Sequence, residues 1–114
     1  EDVTLQRVAK HGDGWIMLAY PPGSEAREKF ALLNEYAQKF GRTENRIGIE
    51  VWTSSVGKPE DWRREIEFWK DAGVTHICLN NSFSRYHHRA ISDRSMAGHM
   101  SAMALYKEAV QDIV

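Results

Sequence analysis

The stretch Arg7-Val8-Ala9-Lys10-His11-Gly12-Asp13-Gly14-Trp15-Ile16-Met17-Leu18 reads as the end of a helix, a glycine break and a short apolar strand. Gly12, Asp13 and Gly14 suit a tight reversal, because such residues tolerate backbone angles that others avoid. Trp15–Ala19 carries no polar side chain, as expected of a strand buried on both faces of a parallel sheet. The chain is therefore expected to open inside an αβ alternation. Gly12-x-Gly14 follows a helix rather than a strand, which argues against a dinucleotide phosphate loop. A Walker sequence and a Gly-x-Ser-x-Gly elbow are both missing from the sequence.

Two further strand signals, Ile47–Thr53 and Thr75–Asn80, follow at intervals of roughly 30 residues, the length of a βαβ unit with its crossover helix. Helices fill the intervals. Ser24 is the expected N-cap after Pro21-Pro22-Gly23, and Ala26, Phe30, Leu33, Ala37 and Phe40 recur at helical spacing up to Gly41. Pro59, Glu60 and Asp61 suit a helix start, Trp62, Ile66 and Trp69 form a buried stripe, and Gly73 closes the run. The last helix is predicted from about Met96 to Ile113. Its expected core stripe is Met96, Met100, Met103, Val110 and Ile113, with Tyr106 beside it. Strands that alternate with helices predict an α/β fold with a parallel sheet.

Three strands leave two open edges, and a complete (β/α)8 barrel usually needs about 250 residues. The chain, 114 residues long, is read as a single partial domain over residues 1–114, the last three strands and helices of such a barrel. Its start at Glu1 rather than methionine is expected of a processed or trimmed product. Composition narrows the class. Hydrophobic residues make up 42% and charged residues 27%, and the net charge is -1. That balance gives no support for nucleic-acid or anionic-membrane partners. The single Cys78 allows no intrachain disulfide and points to a reducing, cytoplasmic compartment.

Taken in order, the helix end and turn Arg7–Trp15, the Gly41-Arg42 pair, Ile47-Gly48-Ile49-Glu50, Trp69-Lys70-Asp71-Ala72-Gly73-Val74-Thr75-His76 and His99-Met100 carry a family likeness. The chain resembles the C-terminal region of luciferase-like monooxygenases, which are flavin- or deazaflavin-dependent (β/α)8 oxidoreductases. The resemblance implies FMN or coenzyme F420 as cofactor and a small organic molecule as substrate. It also implies that the first five strands, with much of the flavin contact, lie outside this segment. On that reading the chain alone is inactive. The rival reading is a non-catalytic half-barrel that forms a homo-oligomer through its open sheet edges without cofactor. A third is another (β/α)8 enzyme with a similar tail.

Strand alternation sorts the candidates. Ile47, Ile49 and Val51 should face the helices, whereas Glu50, Trp52, His76, Cys78 and Asn80 should point into the barrel. Glu50 has two readings: a carboxylate that orients substrate or flavin, or a structural partner of His76 or of an arginine elsewhere. Trp52 could wall a flavin ring and Asn80 could donate to its edge. Tyr20, Thr53 and Asn81 qualify because they follow strand C-termini, where such barrels place their sites. Arg85-Tyr86-His87-His88-Arg89 lacks a third ligand at regular spacing, so no metal is expected, and the run reads as a solvated loop.

Overall fold

The computed structural model describes residues 2–42 and 47–114. These form α1 (Asp2–His11), β1 (Gly14–Met17), α2 (Ser24–Lys39), β2 (Gly48–Thr53), α3 (Pro59–Asp71), β3 (His76–Leu79) and α4 (Met96–Val110). The strands make one parallel sheet in the order β1-β2-β3. The fold is therefore α/β, and each expected strand and helix lies within a few residues of its predicted place. Among the described residues, no helix is long and apolar enough to cross a membrane.

Register divides the sheet into two unlike faces. Met17 lies beside Val51 and Val51 beside Ile77, with Thr53 beside Leu79. Met17, Ile49 and Val51 join Leu5 and Ala9 of α1, Phe30 and Leu33 of α2, and Trp69 of α3 in one buried cluster. Ile77 and Leu79 pack against a second cluster of Trp62, Ile66, Tyr106 and Val110 from α3 and α4. All four helices thus contribute to cores built on one face. The other face carries the row Ile16–Glu50–His76, with Trp52 beside Cys78.

That second face corrects the reading of the first strand. Ile16 is 56% exposed. β1 is buried on its helix side alone, so its continuous apolar run is not the mark of a strand covered twice. The turn before it is corrected too. The described non-helical left-handed glycines are Gly41, Gly57 and Gly73, not Gly12 or Gly14. Gly12 is small for another reason: a Cβ there would stand 3.0 Å from the Val8 carbonyl oxygen. Gly41 and Gly73 close α2 and α3 with φ of 75° and 90°, angles that side chains resist. Arg42 N–H then reaches the Ala37 carbonyl, and Val74 N–H the Trp69 carbonyl.

Two helix expectations also change. Ser24 is the first residue of α2, and Gly23 takes the cap position without a side-chain bond. In α4 the buried residues are Tyr106 and Val110, whereas Met96, Met100 and Met103 are 83%, 59% and 47% exposed. The helix leans on α3 through its C-terminal half. Its N-terminal half runs past the edge of β3, where no further strand or helix among the described residues receives it. A groove of about 570 Å³ lies along that edge, lined by Ile66, Ile77, Leu79, Met103, Tyr106 and Val110. The radius of gyration is 15.5 Å, above the roughly 13 Å of a compact chain of this size.

One side chain ties the opening motif to α2. The Arg42 guanidinium donates to the carbonyls of Val8, Ala9 and Gly12 at 3.4, 3.0 and 2.6 Å. These carbonyls lie at the C-terminal end of α1 and in the turn after it, where the helix dipole is negative, and Val8 O also accepts from Gly12 N–H at 2.8 Å. Arg42→Ala should cost about 1.5–3 kcal/mol, the scale of a charged hydrogen-bonding group lost from partly buried carbonyls. A urea midpoint measured for both chains checks it, and an unchanged midpoint would show that water replaces the guanidinium at no cost.

Candidate functional site

Glu50 sits in the middle of β2, and Trp52 follows on the same face because side chains alternate along a strand. The Trp52 indole N–H donates to Glu50 Oε1 at 2.8 Å. Among the described residues the carboxylate is therefore partnered within its own strand. His76 Nδ1 instead meets the Thr75 hydroxyl at 2.8 Å. Cys78, next to Trp52 across the ladder, has its thiol pushed up by burial and then by the Glu50 charge.

The segment after β3 folds back as a strap in which His88 is buried and His87 half-buried, while Arg85, Tyr86 and Arg89 are exposed, as the solvated-loop reading expects. Its near end is pinned by Asn81, which is 5% exposed. Asn81 Oδ1 accepts from the backbone N–H and the hydroxyl of Ser55 at 2.9 and 3.0 Å. Its carbonyl accepts from Ile91 N–H at 3.1 Å, which draws the two ends of the strap together. Asn80 donates its backbone N–H to Thr53 and uses Oδ1 to accept from Ser82 N–H. A turn through Arg85–His88 folds the strap back, with Tyr86 at φ 54°. The Arg89 guanidinium holds the carbonyls of Tyr86 and His88.

This turn lays aromatic rings on Trp52. The His88 ring lies 6.4 Å from the indole at an interplanar angle of 17°, and Phe83 meets the indole edge at 5.7 Å. His87 packs against His88 at 4.8 Å. His88 is 4% exposed. Nδ1 and Nε2 of His87 and Nε2 of His88 are buried without a hydrogen-bond partner. Burial, then the neighbouring His88 and Arg89, hold His87 below the usual histidine range; burial, then Arg89, do the same to His88. Tyr86 extends to the far side, where it lines a depression of about 270 Å³ with Ile16, Tyr20 and Lys29.

The structure thus gathers Glu50 and Trp52 on the open face and fastens Asn80 and Asn81 beneath the strap. Tyr20 stands apart, buried at the end of β1, with its backbone N–H on Met17 Sδ and Lys29 over its ring. Thr53 faces the opposite way. It is 1% exposed and shares a hydrogen bond of 3.1 Å with Tyr106, whose phenol is raised mainly by burial. Sequence reasoning missed Phe83, His87 and His88. The available signal was the density of rings in this short polar stretch, too high for a segment with nothing to cover. Among the described residues, no group of three His, Cys, Asp or Glu is arranged to hold a metal ion. Comparison with protein-family models, curated proteins and solved structures finds no match for the chain.

Proposed function

We propose that the chain is the C-terminal part of a (β/α)8 oxidoreductase of the luciferase-like kind, with the open sheet face as one wall of a flavin site. The observation that carries this reading is the pairing of sequential strand order with helices on one face only. A doubly wound sheet reverses its strand order and carries helices on both faces. A barrel wall does neither, and keeps its mixed polar and aromatic face inward.

The residues present fit a planar cofactor in one respect. Trp52 already stacks with a flat imidazole, so its indole is a ring-binding surface. Trp52 would hold the ring of FMN or F420, and Glu50, oriented by the indole N–H, would accept a hydrogen bond from the ring edge or from substrate. The cofactor supplies the redox chemistry of oxygen insertion or hydride exchange. This chain's part is to position the ring and exclude water, in a cytoplasmic protein whose Cys78 stays reduced.

Titration of FMN and of F420 into a barrel completed by the first five strands tests the reading. A saturable change in flavin emission is expected, weakened about tenfold by Trp52→Ala, the scale of one aromatic stacking contact. The second reading, a cofactor-free homo-oligomer, draws on the exposed Ile16 and the methionine face of α4. A discrete oligomer by light scattering that binds neither flavin would favour it and end the first.

A further inference from the structure

We infer that the strap from Phe83 to Arg89 is an acid-sensitive cover over Trp52, docked while His87 and His88 are neutral and lifted when either takes up a proton. In its consequence for ligand binding this rests on the flavin-site reading, but the docking equilibrium belongs to the strap itself.

The geometry carries it. His88 lies near-parallel to Trp52 with ring centroids 6.4 Å apart and is almost fully buried, and His87 meets it edge-on at 4.8 Å. A neutral imidazole has one N–H donor and one acceptor, whereas the protonated ring has two donors and a full charge. Among the described residues, neither nitrogen of His87 nor Nε2 of His88 has a partner to receive a second donor. Burying an unpaired charge costs far more than burying an unpaired neutral group. Protonation therefore favours the conformation in which the rings reach water.

The Arg89 charge acts in the same direction on both imidazoles, whereas the Glu50 carboxylate on the sheet below acts against it. Within the strap, the Arg89 guanidinium is fixed 2.7 Å from the His88 carbonyl, and Arg85 lies over the Tyr86 ring. On the sheet below, Glu50 accepts from the Trp52 indole. Cys78 is a thiol raised further from ionisation. At the β1 end, Lys29 and Tyr20 line the depression with Tyr86. The strap also carries its own strain, since Tyr86 adopts the left-handed region without being glycine.

The pH window follows from the sign. Both histidines are held lower when docked than their usual value of about 6.5. Docking is thus undisturbed above about pH 6.5. As pH falls below that value the docked-to-lifted ratio drops by up to about tenfold per pH unit for each imidazole, until the docked pKa is reached. Lifting bares the Trp52 ring and Glu50, so a planar ligand competes with His88 less at pH 5.5 than at pH 8.

Tryptophan emission from pH 8 to 5, compared with Trp52→Phe to isolate the Trp52 signal, tests the cover. A transition with its midpoint below about 6.5 is expected, and the double variant His87→Phe with His88→Phe should abolish it. A flat Trp52 signal, or the same transition in the double variant, overturns the inference. Hydrogen exchange on the unaltered chain needs no variant to fold. The amides of His88 and Ile91 should lose at least about tenfold in protection between pH 7 and 5.5 relative to Val51, and equal protection overturns the inference. FMN titration of the completed barrel at both pH values separates the two proposals. A lifting strap with no saturable FMN binding ends the flavin reading and leaves the cover. FMN binding with a strap that never lifts does the reverse.

Discussion

Replacing Trp69 with alanine is expected to remove about 3–5 kcal/mol of stability, the cost of deleting a large aromatic side chain from a packed core. Trp69 is fully buried. Its ring meets Phe30 of α2 at 6.1 Å and Phe68 at 5.1 Å, so it is the joint between α2 and α3 above the centre of the sheet. Its indole N–H also donates to Glu65 Oε1 at 3.1 Å. Burial raises the Glu65 carboxyl, and the indole bond works against that rise. Without the indole the ionised carboxylate loses its donor, and the penalty grows as pH rises through the Glu65 titration. Urea unfolding at pH 4 and pH 8 checks both parts: a large loss at each pH, larger at pH 8. Against the usual 5–15 kcal/mol of a domain, this loss leaves a weak fold near its lower end. A loss under about 1 kcal/mol would mean that α2 and α3 are joined elsewhere.

The second large effect runs against helix propensity. Gly98 lies in the first turn of α4, where alanine ordinarily stabilises by up to about 1 kcal/mol. Here a Cβ would stand 2.2 Å from the Asp93 carbonyl oxygen and 2.5 Å from Asp93 Cγ. The strap's end cannot give way freely. Asp93 Oδ1 accepts from the backbone N–H and hydroxyl of Ser95, and Ser95 Oγ accepts from Gly98 N–H to cap the helix. Those same bonds hold the Asp93 carboxyl below its usual range. Gly98→Ala should therefore destabilise by about 1–3 kcal/mol, the cost of overpacking a constrained site. Its signature is local, with faster exchange in the first turn of α4 and little change at Val51. A more stable Gly98→Ala chain would show that the capping loop moves aside at no cost.

The elements were readable because local rules and tertiary packing agree in them. Trp62, Ile66 and Trp69 repeat at helical spacing and are buried together, and Gly41 and Gly73 end their helices where a left-handed residue is needed. Alternation in β2 likewise sorted Ile49 and Val51 from Glu50 and Trp52. The same alternation puts Thr53 with Ile49 and Val51 in the helix layer beside Tyr106, although its place at the end of the strand made it a site candidate. Helical spacing misled for Met96, Met100 and Met103. Periodicity says which residues share a helix face, but not whether anything lies opposite that face.

From the sequence alone came the α/β alternation, the strand–helix boundaries and the faces of the strands, since these depend on periods of 2 and 3.6 residues and on glycine at helix ends. The tertiary structure alone decided that one sheet face stays open and that His88 lies beside the indole. Those outcomes depend on contacts between residues distant in the chain, such as Trp52 with His88 and Ser55 with Asn81. No local period encodes them, because they arise from how a strap pinned at Asn81 folds back to bury His88.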